Sequence, residues 1–261
     1  MNISGRSAIV TGAAGGLGTC FVSSLLQLGV KQVVAIDIDR EGLDRLAADI
    51  TDPRVLPKFL NIADESAVLE LFREIRGQNI YPQILINNAG MLCDGLLVSK
   101  QGGFIRKLSS ANWAQSLSTN LTGHFLMARE FAASVFESPC SSVDGNSSDT
   151  AAIIINISSI SSAGNVGQSN YASAKAGLDA STKTWARELA SERIRVCGVA
   201  PGFVLTEMLA DIDPEEREKI LSEIPLGRPG RVEDIWIAVK FAIECDYFTG
   251  RIVSVDGGSV F

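Results

Sequence analysis

Ser7-Ala-Ile-Val10 is a short apolar run that reads as a buried strand, and Thr11-Gly-Ala-Ala-Gly-Gly-Leu-Gly18 follows it at once. From Thr19 to Leu28, Phe21, Val22, Leu25 and Leu26 repeat at helical spacing, and Gly29 can stop the helix. Strand, glycine-rich turn and helix in that order make a phosphate cradle. Gly12 allows a tight turn. Gly16, with Gly15 and Leu17 beside it, lets the backbone approach a pyrophosphate, and Gly18 permits close packing. The helix N-terminus adds free N–H groups and the positive end of a dipole. A merely flexible glycine loop is the alternative, and the flanking strand and helix argue against it.

Asp37 extends this reading toward a dinucleotide. It ends a second apolar strand, Gln32-Val-Val-Ala-Ile36, and Ile38 follows it. A carboxylate roughly twenty residues past the glycine turn can accept hydrogen bonds from the adenosine ribose hydroxyls, and it repels a 2′-phosphate. No Arg or Lys lies inside the glycine turn. NAD(H) is therefore favoured over NADP(H). Arg40 keeps NADP(H) open, because its side chain could swing toward a phosphate. Asp37 as a simple turn residue is the bland alternative.

Tyr171 and Lys175 stand four residues apart in Asn170-Tyr-Ala-Ser-Ala-Lys-Ala-Gly177. On a helix, positions i and i+4 share a face, so phenol and ammonium can point into one cleft. A free Tyr has a pKa of roughly 10 and is a poor acid–base group at neutral pH. A nearby cation favours the phenolate and lowers that value. Alone, the pair could equally be a solvated helix face. A preceding cofactor site gives it weight.

Strand and helix patterns alternate along the chain. Leu43, Leu46, Ala47 and Ile50 mark a helix, Val55 to Leu60 a strand, and Val68, Leu71, Phe72 and Ile75 another helix face. Gln83 to Ile86, Ala152 to Ile157, Ile194 to Val199 and Arg251 to Val255 read as further strands. Residues near 112 to 137 and 170 to 191 read as long helices. Such repetition predicts an α/β, Rossmann-type doubly wound parallel sheet of about seven strands flanked by helices on both faces. No linker divides it, so one domain over residues 1 to 261 is expected.

Thr11-Gly-x-x-x-Gly-x-Gly18, Asn87-Asn-Ala-Gly90, Asn120, the serines at 158 and 159, Tyr171-x-x-x-Lys175 and Pro201-Gly202 occur in one order. In this the chain resembles the short-chain dehydrogenase/reductase family over nearly its whole length. It is most similar to the branch that includes 3-oxoacyl-carrier-protein reductases. The resemblance implies hydride transfer between NAD(H) and a carbonyl or secondary alcohol. It implies Tyr171 as the acid–base group, Lys175 as its electrostatic partner and ribose ligand, a serine polarising the substrate oxygen, and Asn120 holding a relay water. For the serine, a spacing of about thirteen residues before the tyrosine selects Ser158, whereas alignment on the strand end selects Ser159. The strand fixes position better than a loop length, which favours Ser159. The resemblance also places Asn61 and Ile62 at adenine, where Asn61 stands in for the usual Asp. Asn88, Ala89 and Gly90 fall near ribose and pyrophosphate; Pro201, Gly202 and Val204 fall near the nicotinamide; Thr206 could reach the nicotinamide amide or a phosphate, or cap a helix. It implies a homotetramer, or a homodimer, built on residues near 112 to 137, 170 to 191 and 231 to 261. A dinucleotide-sensing regulator without turnover is the alternative of a different class. Such a protein would be expected to lose the Tyr or the Lys, and this chain keeps both.

Other features narrow the partners. A net charge of −7 argues against nucleic acid or an anionic membrane surface. No apolar stretch approaches the roughly 18 residues of a membrane span, and the first strand begins too early for a signal peptide. Five scattered cysteines without Cys-x-x-Cys, and the single His124, point to no metal site and to a reducing, cytoplasmic setting. His124 is expected to pack or to lie on the surface rather than to catalyse. Residues near 91 to 112 look inserted, with a hairpin around Lys100-Gln-Gly-Gly103 rimming the cleft. Residues 138 to 150 look like a polar surface loop. Residues 203 to 226, with Phe203, Leu205, Met208, Leu209 and Ile212, look like an apolar lid suited to a hydrophobic or acyl substrate such as an acyl thioester; simple packing is the alternative. No cluster of Arg or Lys marks a carrier-protein docking patch.

Overall fold

The computed structural model describes residues 1–138, 150–206 and 221–259. In chain order the strands are β1 (Ser7–Thr11), β2 (Gln32–Asp37), β3 (Val55–Phe59), β4 (Ile84–Asn87), β5 (Val98–Gln101), β6 (Phe104–Lys107), β7 (Ala152–Ile157), β8 (Ile194–Pro201) and β9 (Ile252–Val255). Seven of them form one parallel sheet in the order β3-β2-β1-β4-β7-β8-β9. The chain winds outward from β1 to β3, then restarts at β4 on the other side of β1. This reversal opens a crevice at the carboxyl ends of β1 and β4, where ligands bind in such sheets.

Helices cover both faces. They are α1 (Gly16–Gln27), α2 (Arg40–Ile50), α3 (Glu65–Gly77), α4 (Ser110–Leu117), α5 (His124–Phe136), α6 (Ser169–Glu188) and α7 (Val232–Glu244). The two-residue period of the strands divides the core. Ala8, Val10, Ile84, Ile86, Ile153 and Ile155 face the side packed by α1, α2 and α7. Ile9, Leu85, Ile154 and Val196 face the side packed by α3, α5 and α6. Each central strand is therefore apolar on both sides, which is why these strands read as unbroken hydrophobic runs rather than as alternation.

Two local features depart from simple periodicity. The long helix expected near 112 to 137 is α4 and α5 joined by a wide π-type segment, Ser118–Gly123. Its widened turn resets the 3.6-residue pattern between the two helices. The hairpin expected around residues 100 to 103 is present as β5 and β6. Gly102 and Gly103 take φ of 57° and 85°, which a tight two-residue hairpin turn requires. No described helix is long and apolar enough to cross a membrane. Residues 139–149 of the expected polar loop, and Met208, Leu209 and Ile212 of the expected lid, lie outside the described residues.

Candidate active site

The glycine turn is sewn to the end of β4. Thr11 Oγ1 accepts the backbone N–H groups of Asn88 and Ala89, each at 3.0 Å. In return Asn88 Nδ2 donates to the carbonyls of Thr11 at 3.1 Å and Gly12 at 3.0 Å. Both amide protons of Asn88 are thereby used to hold the cradle. Gly12 has φ +63°, and a Cβ there would stand 2.7 Å from Ala89 Cα, so no larger residue fits. Gly18 does not line the cleft. A Cβ on it would lie 2.0 Å from the Gly12 carbonyl oxygen, so its part is packing.

The start of α1 has the chemistry of an anion site. Gly15 caps it without a side-chain hydrogen bond, and no acidic residue sits in its first turn. By contrast, Asp64 caps α3 and Ser109 caps α4 through their side chains. The N–H groups at the start of α1 thus have no side-chain partner at the cap. A Cβ on Gly16 would lie 3.3 Å from Thr206 Cγ2, which places Thr206 across the helix start. These residues open on a cleft of about 1210 Å³. Gly12, Gly15, Gly16, Leu17, Asp37, Ile38, Asn61, Ile62, Asn88, Ala89, Gly90, Pro201, Gly202, Val204 and Thr206 all line it. A cradle this bare of side chains, in a cleft of this volume, fits a dinucleotide.

Asp37 is held in place at both oxygens. Oδ2 accepts from Ala14 N at 2.9 Å and Oδ1 from Asp39 N at 3.0 Å. Arg40 does not line the cleft; its guanidinium lies 4.4 Å from the centroid of the Phe59 ring. Arg45 does line it, and pairs with Asp39 at 3.3 Å. Asn61, expected at adenine, uses its Oδ1 to accept from Ala63 N at 3.0 Å, so that oxygen already serves a local turn. The Ile62 side chain is buried against Gly123, where a Cβ would come within 2.7 Å of it.

At the other end of the cleft, α6 brings Tyr171 and Lys175 to the end of β7. The two serines part there. Ser158 is buried and its Oγ donates to Asp179 Oδ1 on α6 at 2.5 Å. Ser159 lines the cleft near Tyr171 and acts on its phenol, and its Oγ accepts from Ser161 N at 3.1 Å. Lys175 is buried, donates to the Ile157 carbonyl at 2.8 Å, and lies 5.6 Å from the Tyr171 ring centroid.

Burial, and not the Lys175 cation, sets the direction of the phenol's shift. Tyr171 is pushed up to about 12, first by burial; the Ser159 hydrogen bond acts downward and the charge of Asp94 upward. Lys175 is itself pulled down to about 8 by burial, with Asp179 acting the other way. Removing water penalises the charged form of each group. Tyr171 therefore holds its proton at neutral pH, as a proton donor must.

Asn120 sits behind this group and does not line the cleft. Its Oδ1 accepts from Met91 N at 3.1 Å, and Nδ2 donates to Met91 O at 2.9 Å and to Ser116 O at 3.0 Å. Both amide protons are used, and one oxygen lone pair remains for a water. The side chain pins Met91, a residue of the cleft wall.

The sequence marks neither His124 nor Asp94 as a site residue. His124 is fully buried, as a packing residue should be, yet its Nε2 lies 2.7 Å from the carbonyl oxygen of Ala89 in the cradle. Burial, aided by the Lys175 charge, pushes it down to about 3, so the ring is neutral and Nε2–H donates. Asp94 lines the cleft and accepts from Gln168 Nε2 at 2.8 Å. Burial raises its carboxyl above the usual range. Nothing in the spacing of residues 94 and 168 foretells that they meet.

A family model described as short chain dehydrogenase matches residues 6–217. The chain is 35% identical to the 3-oxoacyl-acyl-carrier-protein reductase FabG of Thermotoga maritima, over 100% of both chains. It is 32% identical to the reductase of the same name from Salmonella typhimurium, over 99% of this chain and 98% of the other. For the Escherichia coli K12 protein of that name the identity is 33%, with the same coverage of 99% and 98%.

Proposed function

The chain belongs to the short-chain dehydrogenase family, and we propose that it interconverts the 3-oxo and 3-hydroxy forms of an acyl thioester with NAD(H). It is an oxidoreductase of that family. The observation that carries the fuller reading is the convergence of Ser159, Tyr171 and Lys175 at one end of a cleft whose other end holds Asp37. The names of full-length relatives support a 3-oxoacyl substrate.

A bound nicotinamide supplies or accepts the hydride. The chain's own residues handle the oxygen and its proton. The hydroxyls of Ser159 and Tyr171 both line the cleft, and each can turn its one proton to a substrate oxygen placed between them. Tyr171 gives its proton from Oη as negative charge develops there, and takes it back in oxidation. Lys175, one turn along α6, stabilises the phenolate left behind. Gly15, Gly16 and Leu17 present N–H groups to the pyrophosphate. Asn61 and Ile62 would border adenine, Ala89 and Gly90 the ribose, Pro201, Gly202 and Val204 the nicotinamide, and Thr206, set across the start of α1, the nicotinamide amide or a phosphate. Asp37 supports NAD(H) over NADP(H), because it is fixed beside the cradle while Arg40 is stacked elsewhere.

Absorbance at the nicotinamide band with a panel of 3-oxoacyl thioesters, ketones and alcohols tests the reading. Tyr171→Phe should still bind NADH and should lose about 10²–10⁴-fold in kcat. A wild type that binds NADH and turns over nothing in the panel would overturn it. We also propose a homotetramer, supported by exposed Phe125 and Phe136 on α5 and by Ile237 and Phe241 on α7. Light scattering that finds a stable monomer at micromolar concentration sinks that assembly.

A further inference from the structure

The β5–β6 hairpin follows three residues that line the cleft. Met91, Leu92 and Asp94 line the cleft, and the chain runs from them directly into the hairpin. The hairpin carries Lys100, Arg106 and Lys107, all exposed and, among the described residues, without an ion-pair partner. No Asp or Glu occurs from Gly95 to Ala128, in a chain whose net charge is −7. The strand register sets Val98 opposite Lys107 and Lys100 opposite Ile105, so these four share one face. Leu97, Phe104 and Ile105 are 68%, 75% and 58% exposed. A local basic and apolar surface on an acidic protein, a few residues along the chain from the cleft lining, calls for an anionic partner. A symmetric contact with a second copy would set like charges against each other, which disfavours that occupant.

We propose that the hairpin docks an acidic carrier protein that presents the 3-oxoacyl thioester to the cleft. This rests on the acyl-thioester reading above. The cations steer the acidic surface, and the exposed apolar side chains close the contact against water.

The test compares wild type with Lys100→Glu/Arg106→Glu/Lys107→Glu and with the milder Lys100→Gln/Arg106→Gln/Lys107→Gln. Circular dichroism and thermal melts establish that each variant is folded. An acyl carrier protein charged with a 3-oxobutanoyl group is titrated at low and high salt. Turnover is measured with that carrier, with the coenzyme A thioester and with the N-acetylcysteamine thioester. The charge-reversed variant should raise Kd and KM for the carrier by about tenfold or more, the Gln variant by less, with both small thioesters unchanged. Unchanged carrier Kd overturns the proposal. So does an equal loss with the coenzyme A thioester, or wild-type binding to phosphatidylglycerol vesicles in preference to the carrier. A wild type that binds the carrier through the hairpin but reduces no thioester keeps the docking surface and defeats the substrate reading. One that reduces the small thioester but does not bind the carrier defeats the docking surface alone.

Discussion

Ser158 and Asp179 are joined at 2.5 Å, and this one bond sorts the serine pair at the end of β7. Ser158 turns toward α6 and is buried there. Its neighbour, on the opposite side of an extended backbone, is left to face Tyr171.

The serines should therefore behave differently. Ser159→Ala removes a donor to the substrate oxygen and should lower kcat about 10²–10³-fold with little effect on thermal stability. Ser158→Ala leaves that donor in place and should mainly lower the melting temperature. Steady-state rates and melts on the two variants check this. Equal losses of kcat would contradict the assignment.

Asp179 raises the pKa of Lys175 against the pull of burial. Asp179→Asn should let the lysine fall further below about 8, so less of it is charged at a given pH. The basic limb of the kcat/KM profile should move to lower pH. Ser158→Ala, which loosens Asp179, should shift it the same way by less. Superimposable profiles for Asp179→Asn and wild type would rule out this influence.

His124 predicts an acid limb of stability. Its folded pKa, about 3, lies below its ordinary value of 6.5. Below pH 6.5 the unfolded chain binds a proton that the folded one refuses, so stability present above 6.5 falls as pH drops toward 3. The expected loss is about 2 kcal/mol by pH 5. Denaturant melts between pH 5 and 8 on wild type and His124→Gln measure it, and the variant should lose this contribution. As the single histidine, its ring resonances also titrate without overlap in an NMR spectrum. A midpoint near 6.5 in the folded protein would contradict the buried, neutral ring.

Asp37 predicts cofactor preference. Asp37→Ser keeps a small polar side chain but loses the charge, and should weaken NADH binding about ten- to a hundredfold. The same change should improve NADPH binding, since the repulsion of a 2′-phosphate is gone. Fluorescence titration with both cofactors decides it. Unchanged relative affinities would remove Asp37 from the discrimination.

Local patterns in the sequence determined the order of strands and helices, the glycine cradle at Thr11 to Gly18, the carboxylate at the end of β2 and the Tyr171–Lys175 helix face. Each of these depends on a backbone period or on a turn that only glycine makes, and both are set by residues a few positions apart. The tertiary structure decided what depends on residues that meet from distant parts of the chain. It turned Ser159 rather than Ser158 toward Tyr171 and drew Arg40 onto Phe59. It locked Asn120 against Met91, and set His124 against Ala89. It also gathered Lys100, Arg106 and Lys107 onto one exposed hairpin, where reading along the chain showed no cluster. It reversed the balance at Tyr171 as well. Charge spacing along a helix can be read from sequence, but the loss of water around a phenol is a property of the assembled cleft.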